Sequence, residues 1–191
     1  MRRPVRNIAL VLFAGCAAGA ALAVLLLQQP GDKSFRVPSG AMSPTYEAGE
    51  EVEVDEDAYE DDEPNAGDVV TLHPPAGAIV GKGCGTQRIP GEPCPQPTPQ
   101  LADDVLFIKR VVALPGQSVA IDGGRAVVDG QLITEPFISA CSDRPACDLP
   151  VPITVPEDHF FLLGDNRGAS EDSRFWGPVP LEAITGRVVD D

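Results

Sequence analysis

Val105-Leu106-Phe107-Ile108-Lys109-Arg110-Val111-Val112-Ala113-Leu114 is the most strand-like run in the chain, and its reading sets the fold. Apolar residues fill it apart from two adjacent cations. A run this short and this apolar forms a strand covered on both faces. Alternation then groups Lys109 with Val105, Phe107, Val111 and Ala113, and Arg110 with Leu106, Ile108 and Val112. With both faces covered, at least one cation loses its water. The ordinary reading is a snorkelling lysine beside a salt-bridged arginine. The chemical reading is a lysine whose pKa is lowered by burial until its amine is neutral near pH 7 and accepts a proton.

Working outward, the flanking segments read as more strands and tight turns. Leu114-Pro115-Gly116-Gln117 is a turn. Val119–Ile121 and Ala126–Val128 form a hairpin around Asp122-Gly123-Gly124-Arg125. Asp129-Gly130 turns the chain again before Leu132–Thr134, and Ile153–Val155 and His159–Leu163 are further strands. Upstream, Val69–Leu72 and Phe35–Val37 are short strands. Val52 and Val54 alternate with acids, so Glu51–Asp55 reads as an edge strand with one wet face. Pro74–Gln100 is a Pro/Gly-rich inserted loop in which nothing suggests chemistry. No amphipathic helix and no repeat is visible, so the expected fold is mostly β, an antiparallel sheet domain over residues 28–191.

The totals agree with one such domain plus an anchor. The chain has 191 residues, with 20 prolines and 19 glycines spread through a sequence that is 43% hydrophobic, which excludes global disorder. Its net charge of -15, from 29 acids against 14 Lys and Arg, excludes nucleic acid and a broad contact with anionic lipid as partners. The acids are densest from Glu47 to Asp68, where a solvated, aggregation-resistant surface is the simple reading. A calcium site is the alternative, but the Asp-x-Asp-x-Asp-Gly spacing is missing. No metal or cofactor is expected.

Arg2, Arg3 and Arg6 precede an uncharged run, Ile8–Leu27, whose length as a helix matches a bilayer core of about 30 Å. The arginines orient residues 1–7 to the cytoplasm, make 8–27 a transmembrane anchor and leave 28–191 outside it. The expected location is therefore the cell membrane, single-pass, with membrane lipid a partner through this helix. A cleaved signal peptide ending near Ala21-Leu22-Ala23 is the alternative, and lipid modification of Cys16 a third. Outside this run, Cys84 and Cys94 bracket one loop and Cys141 and Cys147 another. An even count favours disulfides over metal, with local pairing expected among three possible connectivities.

Two polar loops complete the pattern. Val37-Pro38-Ser39-Gly40-Ala41-Met42-Ser43-Pro44-Thr45 is too turn-rich for a helix. It is either a stiff connector or a loop that presents hydroxyls to a cleft. Gly164-Asp165-Asn166-Arg167 through Ser170, Asp172, Ser173 and Arg174 to the single tryptophan, Trp176, is rich in residues that hydrogen-bond within turns. An Asp–Arg knot accounts for Asp165, Arg167, Asp172 and Arg174; Ser170 is placed to hold a buried amine.

In combination and order, these segments resemble type I signal peptidase, the membrane-anchored Ser/Lys endopeptidase family that removes signal peptides. The matching stretches are Pro38 to Thr45, Gly67-Asp68, Ile108-Lys109-Arg110-Val111 with Leu114-Pro115-Gly116, and Gly164 to Arg174. The resemblance implies an antiparallel β catalytic domain and preprotein signal peptides as partners. These bind as an added strand and are cut after a small residue. It assigns Lys109 as general base, Ser170 as the hydroxyl orienting its amine, and Ser39 as an oxyanion-hole donor working with the N–H of residue 41. Phe35, Val37, Pro38 and Met42 are implied substrate contacts, and Asp165, Asn166, Arg167, Asp172 and Arg174 the structural loop. One position departs: the family's nucleophilic serine falls at Ala41. Either Ser39, or less simply Ser43, supplies the oxygen, or the chain is a non-catalytic homologue that binds export signals or modulates an active paralogue. A third reading makes Ala41 an introduced inactivating change. Strand spacing would put Ser39 on the same side as residue 41, about 6–7 Å along the chain.

Overall fold

The computed structural model describes residues 32–78, 92, 94, 100–141 and 147–189. The expected anchor at 8–27 lies outside the described residues, as do Cys84 and most of the Pro/Gly-rich insertion. Among the described residues no helix is long and apolar enough to cross a membrane.

Strands β1 (Asp32–Arg36), β2 (Glu51–Asp55), β3 (Val69–Leu72), β4 (Phe107–Ala113), β5 (Ser118–Asp122), β6 (Arg125–Val128), β7 (Gln131–Leu132), β8 (Leu149–Thr154), β9 (His159–Leu163), β10 (Val179–Pro180) and β11 (Ile184–Val189) form two antiparallel sheets. The larger runs β1-β2-β11-β3-β4-β9-β10 and the smaller β7-β6-β5-β8. The helical elements lying wholly among the described residues are one turn, α1 (Ser173–Trp176), and two 3-10 turns, Gly40–Met42 and Leu181–Ala183.

β4 lies between β3 and β9 in the larger sheet, as its apolar sequence requires, and both its faces are covered. Val111 packs with Val70, Leu72, Phe160, Leu162 and Trp176 on one side. Val112 and Ala113 pack on the other side, with Phe161, Leu163 and the smaller sheet's Val119, Ile121, Ala126 and Leu149. Strict alternation therefore misplaces Ala113. The β4–β9 register shifts between Val111 and Ala113, and this bulge returns Ala113 to the face of Val112. A third cluster buries Val37, Met42 and Tyr46 of the first polar loop against Val52, Val54, Val69, Ile108 and Val188. Burying side chains of this size contributes roughly 1.5–3 kcal/mol each.

Two expectations about strand order change. β2 keeps its wet face, with Val52 and Val54 buried between exposed Glu51 and Glu53, but it is not an edge: β1 and β11 flank it. β11 itself has no counterpart among the strands read from the sequence, although it joins β2 to β3 near the middle of the larger sheet. The ends of the Pro74–Gln100 segment meet: Pro75 bridges Leu101, Ala76 N–H donates to Gln100 O at 2.7 Å, and Ala102 N–H to Pro74 O at 2.9 Å. Cys141 and Cys147 form a local disulfide, as expected; Cys94 is also disulfide-bonded.

Candidate active site

The site forms where β4 and β9 part company. β9 pairs with β4 as far as Leu163 opposite Arg110, and the chain then leaves the sheet at Gly164. Val111 exchanges main-chain hydrogen bonds with Gly67 and Asp68, on the β3 side of β4. Two-residue alternation therefore turns the N–H and C=O of Ile108 to the opposite side, beyond the end of β9. This open stretch of β4 borders a groove of about 350 Å³ lined by Pro38, Ser39, Ala41, Val105 to Lys109, Ala169 and Glu171.

Gly164 lets the two polar loops converge here. A Cβ added to it would lie 2.2 Å from Ser170 Oγ and 2.5 Å from Ala41 O. The loops are also cross-linked by hydrogen bonds. Asn166 N–H donates to Ala41 O and Asn166 Nδ2 to Gly40 O, both at 3.0 Å, while Thr45 Oγ1 donates to Asp165 Oδ2 at 2.5 Å. Residues 40–42 form a 3-10 turn, so Ser39 and Ala41 are not related by strand spacing as the sequence reading supposed. Ser39 is extended and exposed; Ala41 is buried.

The two cations of β4 separate into the two roles weighed for them. Arg110 is structural: it holds Asp165 through Nε–Oδ1 at 2.9 Å and Nη2–Oδ2 at 2.7 Å, donates to Gly67 O, and stacks on Phe137 at 4.2 Å. Lys109 is 3% exposed, and no ion pair to it is formed among the described residues. Burial pushes its amine down to about 8. Asp172 opposes this most, Arg174 adds to it, and Asp165 and Glu171 oppose it more weakly. Nζ donates to Ile108 O at 2.9 Å and lies 5.0 Å from the Phe107 ring centre. The expected bond from Ser170 to this amine is not formed: Ser170 Oγ is buried without a hydrogen-bond partner.

Asp172, Arg174 and Arg167 form a dense hydrogen-bonded knot. Asp172 Oδ1 and Oδ2 accept from Arg174 Nε and Nη2, each at 2.8 Å, and Oδ2 also accepts from Gly164 N–H at 3.1 Å. Burial alone would raise the Asp172 carboxyl, but Arg174 and these donors hold it below the usual carboxylate range. Asp172 also caps α1 through Arg174 N–H. Arg167 pairs with Glu135 at 2.5 Å and donates to Gly164 O and Gly124 O. Arg174 Nη1 closes the circuit on Arg167 O at 2.8 Å.

Of the expected substrate contacts, only Pro38 lines the groove. Val37 and Met42 are core residues, and Phe35 packs partly buried against the same cluster. Ser43 Oγ donates to Glu47 Oε1 and does not line the groove. The sequence reading gave no role to Gly164 or to Phe107, Ala169 and Glu171 of the lining. Phe107 was within reach, because alternation had already placed it beside Lys109.

An antiparallel β domain with a buried lysine at a groove defines the class, and comparison with known proteins gives the family. A model of the signal peptidase, peptidase S26, family matches residues 5–189, and the chain belongs to that family. It is 37% identical over 153 residues to a signal peptidase I of Leptolyngbya laminosa, covering 80% of this chain and 64% of that protein. It is 34% identical over 153 residues to a probable signal peptidase I-1 of a Synechocystis strain, covering 80% and 67%. The chain thus spans about two thirds of the length of these relatives. A solved signal peptidase I from Enterococcus faecalis aligns over 66% of this chain and 97% of its own, at 19% identity and a TM-score of 0.42.

Proposed function

We propose that this chain is a membrane-anchored, extracytoplasmic endopeptidase of signal peptidase I type that cleaves signal peptides after a small residue, with Ser39 as nucleophile and Lys109 as general base. One observation carries the choice of Ser39: among the described residues lining the groove that holds Lys109, it is the only one with a side-chain hydroxyl. In this reading the preprotein segment adds to the open side of β4 as an extended strand. Neutral Lys109 takes the Ser39 proton as Oγ attacks the scissile carbonyl carbon. The main-chain N–H of Ala41, at the start of a helical turn with no carbonyl one turn behind it, stabilises the oxyanion. Lys109 then gives its proton to the departing amine, and water hydrolyses the acyl-enzyme. With a pKa of about 8, roughly a tenth of the amines are neutral at pH 7, so cleavage rises with pH until the amine is fully deprotonated.

A second reading has its own observation. The amine is bonded to a main-chain carbonyl and to no hydroxyl, which suits a homologue that holds export signals without cutting them. Incubating full-length protein in detergent with an Ala-x-Ala preprotein separates the two. Cleavage by the chain as it stands, lost in Ser39→Ala and Lys109→Met, supports the Ser39 mechanism. Cleavage only after Ala41→Ser eliminates Ser39 as nucleophile, and preprotein binding by the uncut parent chain then supports the holding form. If no version binds or cuts the preprotein, both readings fail.

A further inference from the structure

The Lys109 amine and the open side of β4 are not independent. Ile108 C=O faces the groove beyond the last β9 pair, where an added strand needs an acceptor, and the amine of the next residue already occupies it at 2.9 Å. We propose that the Ile108 carbonyl is a parking site for Lys109: an incoming peptide N–H displaces the amine from it, so that docking of an extended segment releases the base into the groove. This rests on the groove being where a peptide binds, and it deepens that reading by saying what binding does to the base.

Three features of the site support the exchange. The Ser170 hydroxyl is buried and unpartnered, and Gly164 holds it beside the Ala41 main chain. It is therefore a vacant acceptor for a displaced amine. A peptide filling the groove also removes the remaining water around Nζ. Finally, the buried charges around Lys109 are held by partners of their own. Asp172 and Arg174 pair with each other on the loop and α1, Asp165 is held by Arg110, and Glu171 lies at the groove lining. None of these has to move for the amine to change partner. A peptide that removes the Ile108 carbonyl from a cationic donor and excludes water disfavours the charged form, so docking lowers the pKa of the amine. The base is largely protonated in the empty groove and becomes neutral when substrate arrives.

The test uses full-length protein in detergent with isotope-labelled lysine, Lys109 being assigned by its loss in Lys109→Arg. The Nζ titration is followed by NMR without and with a saturating Ala-x-Ala peptide whose scissile amide is reduced to a methylene amine. Binding is read separately from the broadening of peptide resonances. The expected result is a downward shift of the Lys109 midpoint by one pH unit or more. Among peptides N-methylated at single amides, one should still bind but produce a clearly smaller shift than the parent, because it excludes water yet has no N–H for Ile108 O. A peptide that binds and leaves the midpoint in place overturns the parking proposal alone, as does an equal shift from every N-methylated peptide. Failure of the parent peptide to bind overturns the proposal together with the reading of the groove.

Discussion

At Lys109, stability and chemistry pull in opposite directions. Its pKa falls from 10.5 to about 8 on folding, so the folded state holds the proton less tightly than the unfolded chain does. The cost is fully present below pH 8, shrinks as pH rises from 8 to 10.5, and is gone above that, since stability rises with pH wherever the unfolded chain binds more protons. The shift corresponds to about 3 kcal/mol at pH 7. Lys109→Met is therefore expected to raise the unfolding free energy by up to about that amount at pH 7 and by little at pH 11, measured by urea denaturation at the two values. Equal effects at both would show that the amine is not desolvated. Gly164 poses the complementary problem, of space. The Gly164→Ala methyl would meet Ser170 Oγ and the Ala41 carbonyl well inside contact distance. Overpacking of this kind costs about 1–3 kcal/mol. The same protein should lose peptide binding, because the two loops are pushed apart. Binding and melting temperature unchanged from the parent would refute the convergence described.

Among the elements, the loop from Gly164 into α1 bears most on the amine. Asp172 is buried between Arg174 and the Gly164 N–H, and removing its charge takes away the carboxylate that Arg174 grips through two nitrogens. Asp172→Asn is expected to cost about 3–5 kcal/mol. It should also move the Lys109 titration below about 8, because Asp172 is the largest influence holding the amine's proton on. An Asn variant with a higher Lys109 midpoint would contradict that electrostatic account. The same loop shows what sequence makes legible. Asp and Arg at close spacing announce a knot, and short apolar runs announce β3, β4 and β9, because burial on both faces leaves a local mark. β11 leaves none: Gly186 interrupts it where a Cβ would strike Val54 Cγ1 at 2.7 Å and Asp55 O at 2.8 Å, and the register shifts there. Its glycine is dictated by β2, which is remote in sequence. The bulge that reverses Ala113 is hidden for the same reason. The amine's choice of Ile108 O over Ser170 Oγ depends on where β9 ends, which no motif spells out.

At the scale of the whole chain, an acidic sequence is combined with ion pairs buried in the β domain. The net charge is -15, and the acid-rich segment 47–68 carries no lysine or arginine. One of its acids, Glu56, pairs with Lys33 at 2.7 Å, but both side chains are largely exposed and such pairs contribute little. Repulsion between the remaining surface acids therefore outweighs the attraction that salt would screen. The inner pairs Arg110–Asp165, Arg167–Glu135 and Arg174–Asp172 are shielded from ions by burial. Added salt should then stabilise this protein. Raising ionic strength from about 10 mM to 150 mM shortens the Debye length from about 30 Å to 8 Å, so repulsion between acids farther apart than that is largely screened. If the relief is about 1 kcal/mol, the melting temperature of a chain this size rises by roughly 2–4 °C. Thermal melts of the full chain in a non-ionic detergent at the two salt concentrations measure this. A melting temperature that falls with salt would mean that exposed ion pairs, not the buried ones, hold the acidic segment to the sheet.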